Sequence, residues 1–249
     1  MKHRLMTHMI ASYPDGPASL DVASAMIDGG CSYLEIQFPF SDPTADGPVI
    51  QTACTHALEE GFTVTGGFQL VKTIRDRSDI IIFIMCYGNT LFYYGIESFV
   101  ARCAELNVQG LIVPDLPFDY DEGMYGLCKK HGLAAIPVVA PTITEARLHA
   151  ILGEEPHYVY AALRKGITGE ATQIGEDNIG FLEHIKLVSG DARPRILAGF
   201  GISRREQVDL LAPHVHASIV GSAFVRIIME QERNNVYRAV KDKMQELIM

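Results

Sequence analysis

The sequence is short of positive charge, of paired cysteines and of long apolar runs, and each shortage removes a class of protein. Lysine and arginine total 21 against 30 aspartates and glutamates, for a net charge of −9. That balance lacks the basic footprint of a protein that grips a nucleic-acid backbone. An anionic small ligand stays open, because backbone amides at helix N-termini hold phosphate without net positive charge. Cys31, Cys54, Cys86, Cys103 and Cys128 are an odd set with no C-x-x-C pair, as expected of reduced thiols in a cytoplasmic protein. The longest apolar run, 80–86, is far below the roughly 20 residues of a membrane span. The first residues show no apolar signal segment, so the chain is expected to be cytoplasmic and untargeted.

Several chemical signatures are missing too. After the first apolar run, residues 12–17 read S-Y-P-D-G-P, without the G-x-G-x-x-G turn of a dinucleotide-binding sheet. There is no G-x-S-x-G elbow, no H-E-x-x-H pair, and no lysine inside an apolar run placed for a Schiff base. The nine histidines are scattered, and His214 and His216 read as ordinary residues entering a strand rather than as metal ligands. No metal is expected.

What is present is a strand and helix rhythm. Hydrophobic residues make up 48% of 249 positions, and mean hydropathy is +0.12, enough apolar surface for one large core. Short β-branched runs fall at 6–11, 33–38, 80–86, 110–113, 134–139, 158–162, 195–198 and 217–220. Amphipathic stretches lie between them near 18–29, 48–60, 65–77, 95–106, 119–131, 144–153, 177–189 and 203–212, with a last pair from Ala223 onward. The runs are nearly continuous, as in parallel strands buried on both faces. Gly29-Gly30, Gly61, Gly132 and Gly153 follow helical stretches, where a left-handed C-cap is useful. Eight strand-helix units predict an α/β fold, a single-domain (β/α)8 barrel over residues 1–249.

The active site of such a barrel lies at the C-terminal ends of its strands. In the second run, period two puts residues 33, 35 and 37 on one face. Glu35 directed inward is a costly buried carboxylate, suited to acid–base work; directed outward it would only pair with a helix. Asp46 follows in a loop stiffened by Pro39, Pro43 and Pro48; the alternative for it or Asp42 is to cap the helix that Pro48 opens. Gly199-Phe200-Gly201 and Gly221-Ser222 each precede a helical stretch, a pattern that fits a phosphate cradle after strands seven and eight.

Residues 34–51 read L-E-I-Q-F-P-F-S-D-P-T-A-D-G-P-V-I-Q, and this closely resembles the signature of the tryptophan synthase alpha subunit. In order along the chain, G-L-I-V-P-D-L-P at 110–117, V-A-P-T at 139–142, R-K-G-I-T-G at 164–169, G-F-G-I-S at 199–203 and V-G-S-A at 220–223 support the resemblance. The resemblance implies a lyase of tryptophan biosynthesis that splits indole-3-glycerol phosphate into indole and glyceraldehyde 3-phosphate by a retro-aldol step. It implies Glu35 as the principal acid/base and Asp46 as the group holding the indole N–H, with a dry strand site for the first and a more solvated loop site for the second. Tyr160 would line the pocket, Gly169, Gly201, Gly221 and Ser222 would bind phosphate, and Phe200 would sandwich the ring. Thr168 would contact the carboxylates from a lid loop at about 164–176. No cofactor is implied for this chain; pyridoxal phosphate is expected only in a partner beta subunit, within an alpha2-beta2 tetramer.

Four departures stand out. Gln37 replaces the usual glycine beside the glutamate, where it would narrow the pocket or bond Glu35. Leu163 and Lys165 flank Arg164 where small residues are usual, and little chain precedes the first strand, so the helix that plugs the barrel bottom in relatives is expected to be missing. These departures leave two other readings: an alpha-like subunit that only activates its beta partner, or a phosphate-binding barrel with another substrate.

Overall fold

Backbone pairing turns the apolar runs into one parallel barrel. The computed structural model describes residues 3–163 and 174–248. Its strands are β1 (Leu5–Ile10), β2 (Tyr33–Gln37), β3 (Ile81–Met85), β4 (Gly110–Ile112), β5 (Ala134–Ile136), β6 (Val138–Val139), β7 (Tyr158–Ala162), β8 (Arg195–Gly199) and β9 (Ala217–Val220). They hydrogen-bond in the order β5-β4-β3-β2-β1-β9-β8-β7-β6, each pair parallel. The expected run at 134–139 is therefore two strands split at Pro137, which has no N–H to give a ladder. Before the proline the chain pairs with β4, after it with β7, and Tyr160 N–H donates to the Pro137 carbonyl at 2.9 Å. The two ends of the sheet meet at that residue, and the barrel closes.

The helices are α1 (Gly16–Asp28), α2 (Pro48–Glu59), α3 (Val64–Arg75), α4 (Gly88–Tyr94), α5 (Ile96–Glu105), α6 (Met124–His131), α7 (Glu145–Gly153), α8 (Glu176–Ser189), α9 (Arg205–Leu211), α10 (Ser222–Glu230) and α11 (Val236–Ile248). Local chemistry sets their starts: Asp15 accepts from Ala18 N–H at α1, and Thr63 from Gly66 N–H at α3. Three expectations need correction. The stretch at 88–94 is helical, divided from α5 by Gly95 at φ 91°. The helix expected from 119 starts only at Met124, because Asp121 accepts from Gly123 and Tyr125 N–H in a turn and Gly123 has φ 85°. Gly153 does not cap in the left-handed region; α7 ends on it and Glu155 carries the positive φ instead.

Strand side chains alternate between two apolar layers. Leu34 and Ile36 face the helices with Ile82, Ile84 and Leu111, whereas Tyr33, Phe83, Ile112, Tyr158 and Leu197 fill the barrel. Burial on both sides explains why the runs read as continuous. At the bottom of the barrel four rings meet: Tyr33 on Phe83 at 5.9 Å, Phe83 on Tyr158 at 5.3 Å, and His216 on both tyrosines. Tyr33 Oη bonds His216 Nε2 at 2.7 Å, and Arg195 donates to Tyr158 Oη at 2.8 Å. These side chains fill the lower end of the barrel interior.

Candidate active site

The register of β1 against β2 sets Glu35 directly beside His8. Both point into the barrel, and His8 Nδ1 lies 3.2 Å from Glu35 Oε1. Glu35 lines the barrel cavity beside His8 and is 2% exposed, so the inward alternative holds and the outward one does not. Asp46 is 5% exposed, which corrects the expectation of a solvated loop site. The loop folds back over the barrel mouth: Asp46 Oδ2 accepts from Gln37 Nε2 and from Tyr87 Oη, each at 2.8 Å, and Tyr87 Oη also accepts from Ala45 N–H. Nor is Asp46 a helix cap, since Gly47 holds that position before α2. Asp42 is exposed and takes a bond from its neighbour Ser41.

These contacts settle the role of Gln37. Its amide reaches Asp46 and Cys54 Sγ rather than Glu35, and it does not line the cavity described below. Leu163, just beyond β7, is buried in the helix-side layer and does not line the cavity.

The electrostatics follow from burial among carboxylates. Burial alone pulls the His8 imidazole down, but the charge and proximity of Glu35, with Asp46 further off, outweigh it and the net shift is upward from 6.5. Burial pushes the Asp46 carboxyl up from its ordinary value, opposed by His8 and by the bonds from Gln37 and Tyr87. The Tyr160 hydroxyl is raised well above its usual value by burial and by both carboxylates. Glu35 Oε2 and His8 Nε2 are buried without a partner among the described residues. An unmade bond of this kind costs about 1–3 kcal/mol, and such atoms cluster where function needs them.

Above the carboxylates opens a cavity of about 340 Å³, within the size of small-ligand sites. Its floor is Glu35, His8 and Asp46; its apolar walls include Met85, Ile112, Tyr160 and Ile219; and its far rim is Phe200, Gly201, Gly221 and Ser222. The Phe200 ring stands edge-on to Tyr160 at 6.0 Å. Phe200 has φ 79°, a left-handed conformation rare for a bulky residue and typical of strained site loops. It lets Gly201 follow at φ 83° and turns the β8 loop across the cavity. Gly221 precedes the first residue of α10, so that helix's N-terminus opens onto the same rim. Tyr160, Phe200, Gly201, Gly221 and Ser222 are thus brought together with both carboxylates, while Thr168 and Gly169, like Arg164 and Lys165, lie outside the described residues.

Sequence reasoning missed His8, Tyr87 and the partner of Gln37. The signal for His8 was a lone histidine inside an apolar run, at the position that period two gives to the barrel interior. Among the described residues no group of three His, Cys, Asp or Glu side chains is placed to hold a metal, and no helix is long and apolar enough to cross a membrane.

Comparison with known proteins agrees along the chain. The family described as tryptophan synthase alpha chain matches residues 1–248. The tryptophan synthase alpha chain of Helicobacter hepaticus is 40% identical over 235 residues, covering 92% of this chain and 87% of the relative. That of Syntrophotalea carbinolica is 36% identical, over 91% and 88% of the two chains. Among solved structures, tryptophan synthase of Mycobacterium tuberculosis superposes with a TM-score of 0.88 at 30% identity, covering 99% of this chain and 91% of that one. The tryptophan synthase complex of Pyrococcus furiosus gives 0.88 at 29% identity, over 98% and 97%. With this barrel and these motifs in place, the chain belongs to the tryptophan synthase alpha chain family.

Proposed function

We propose that the chain cleaves indole-3-glycerol phosphate to indole and glyceraldehyde 3-phosphate as the alpha subunit of a tryptophan synthase. The observation that carries this reading is one cavity with two buried carboxylates on its floor and a glycine-lined helix N-terminus on its rim. The carboxylates serve the proton transfers, and the rim suits a phosphate.

The reaction breaks the bond between indole C3 and the glycerol chain. A proton must arrive at C3, and one must leave the glycerol hydroxyl as its oxygen becomes the aldehyde. Glu35 handles these protons in a site dry enough to keep them from solvent. Asp46 accepts from the indole N–H and steadies the positive charge that builds on the ring when C3 is protonated. Its position is held by Gln37 and Tyr87, so it is pre-set for that bond. Phe200 and Tyr160 flank the ring, while Gly201, Gly221 and Ser222 take the phosphate with Gly169. Thr168 belongs to the proposed lid. This acid–base chemistry uses side chains alone, and pyridoxal phosphate is assigned to the partner.

Partnership with a beta subunit in an alpha2-beta2 tetramer fits the exposed aromatics near the mouth. Tyr93 on α4 is 93% exposed and Tyr120, beyond β4, is 77% exposed, two large rings that a partner's surface would cover. Five free, buried cysteines suit the cytoplasm. The direct test is indole release from indole-3-glycerol phosphate by the purified chain, with and without its beta subunit. Release is expected in both conditions and faster in the second. Glu35→Gln is expected to lower the rate by about a thousandfold or more with the fold intact; turnover retained in that variant would remove Glu35 from the reaction.

A further inference from the structure

His8 stands between the two halves of the site. On one side its Nδ1 meets Glu35 Oε1 at 3.2 Å. On the other its ring packs so closely on Gly221 that a Cβ there would lie 3.2 Å from its Cβ, Cγ and Cδ2 atoms. Both residues line the cavity. The inner ends of the pair are joined, and the outer ends, His8 Nε2 and Glu35 Oε2, are buried without a partner among the described residues.

We propose that His8 and Glu35 work as one acid–base unit, sharing a proton across their 3.2 Å contact in the wall of the cavity. The proposal rests on the reading of Glu35 as the acid/base group. The retro-aldol step needs a proton at indole C3, and a carboxylate by itself has none to give. The pair supplies it. Giving its proton to C3 leaves a neutral imidazole beside a carboxylate, and the proton taken from the glycerol hydroxyl as the carbon bond breaks restores the pair. One proton leaves and one returns, so no other reactant is consumed.

The charged groups facing His8 are Glu35 on β2 and Asp46 in the loop beyond it. Gln37 on β2 adds a side-chain hydrogen bond that also favours the protonated ring and brings no charge; Gly221 and Ser222, before and at the start of α10, bring none either, and Tyr160 across the cavity keeps its proton through neutrality. With two carboxylates and no other cation described beside it, the imidazole holds its proton above the ordinary histidine range.

The test compares indole release against pH for the unaltered chain, His8→Gln and Glu35→Gln, each with its beta subunit. His8→Gln is expected to lose about ten- to a hundredfold in kcat at pH 7, and less as the pH falls and solvent supplies the proton that the imidazole gave. An equal loss at every pH, or none, overturns the pairing. Glu35→Gln separates the two ideas: if it stays active, the acid–base reading itself fails; if it is inactive while His8→Gln keeps the original profile, only the pairing fails. Should His8→Gln not fold, ¹⁵N NMR of the imidazole in the unaltered chain and in Glu35→Gln decides. Titration above 6.5 that drops on losing the carboxylate supports the unit, and titration unaffected by that substitution overturns it.

Discussion

The two ends of the barrel interior each hold a buried or half-buried histidine among tyrosines, yet they are built to opposite rules. At the mouth, His8 sits beside Glu35 and Asp46, and the carboxylates draw its titration upward. At the bottom, burial and the charges of Arg4 and Arg195 push His216 down to about 4. The bottom also satisfies its polar atoms: Tyr33 Oη meets His216 Nε2, and Tyr158 Oη takes a bond from Arg195. The mouth leaves Glu35 Oε2, His8 Nε2 and Gln37 Oε1 unpaired among the described residues. The same ring in the same barrel is thus a structural part where its bonds are made and a chemical one where they are withheld. Stability is given up at the mouth and kept at the floor.

Asp46→Asn should strain this contrast most. The asparagine carbonyl can accept from both Gln37 and Tyr87, as Asp46 Oδ2 does now, so the loop stays closed. The raised titration of Asp46 means the folded state holds that proton more tightly than the unfolded chain. Its contribution to stability is therefore present at acid pH and lost as pH rises through the folded value. At pH 7 the ionised side chain is a burden, and its neutral replacement should leave the melting temperature unchanged or raised. Indole release should fall about a hundredfold, because the amide cannot balance charge on the ring. A variant that loses stability and keeps activity would put Asp46 with the structural residues.

At the floor the sign reverses. His216 ionises less readily in the folded chain, so its effect is absent above 6.5 and stability drains as the pH falls from there toward about 4. The full difference would be worth about 3 kcal/mol, and water reaching the half-buried ring screens it to about 1–2 kcal/mol. Melting temperatures measured between pH 7 and pH 4 should decline, and His216→Gln should flatten that decline without changing indole release at pH 7. A slope unchanged in the variant would assign the acid sensitivity to other groups.

The contrast marks what can be read from residues in a line. Periodicity is local, so the alternation of 33, 35 and 37 put Glu35 inside the barrel, and apolar runs located the strands to within a residue or two. The break at Pro137 was not read, because a proline inside one apolar run shows its missing N–H only once the strands on either side are paired. Nor was His8, because its meaning comes from lying opposite Glu35 in the β1–β2 register, and register belongs to the sheet. Asp46 failed for a related reason: proline stiffness says a loop is held, but its dryness depends on Tyr87, 41 residues away. Gln37 was placed on the correct face and given the wrong partner, since its amide reaches past Glu35 to the loop.

Tyr33→Phe is the mildest probe and isolates one bond. The hydroxyl lies 2.7 Å from His216 Nε2, and with the neutral imidazole's hydrogen placed on Nδ1 the hydroxyl is the donor. Removing it leaves that nitrogen half-buried without its donor, at a cost of about 1 kcal/mol at neutral pH. The ring packing on Phe83 stays, since the change removes one oxygen and leaves the aromatic edge. Below about pH 4 His216⁺ would carry a hydrogen at Nε2, and the tyrosine would have to be the acceptor. The bond favours the neutral form, so its loss should cost less at acid pH than at neutral pH, and the two stability curves should converge as the pH falls. Parallel curves would mean that Tyr33 serves the floor through packing alone, and that its hydroxyl does not set the state of the histidine.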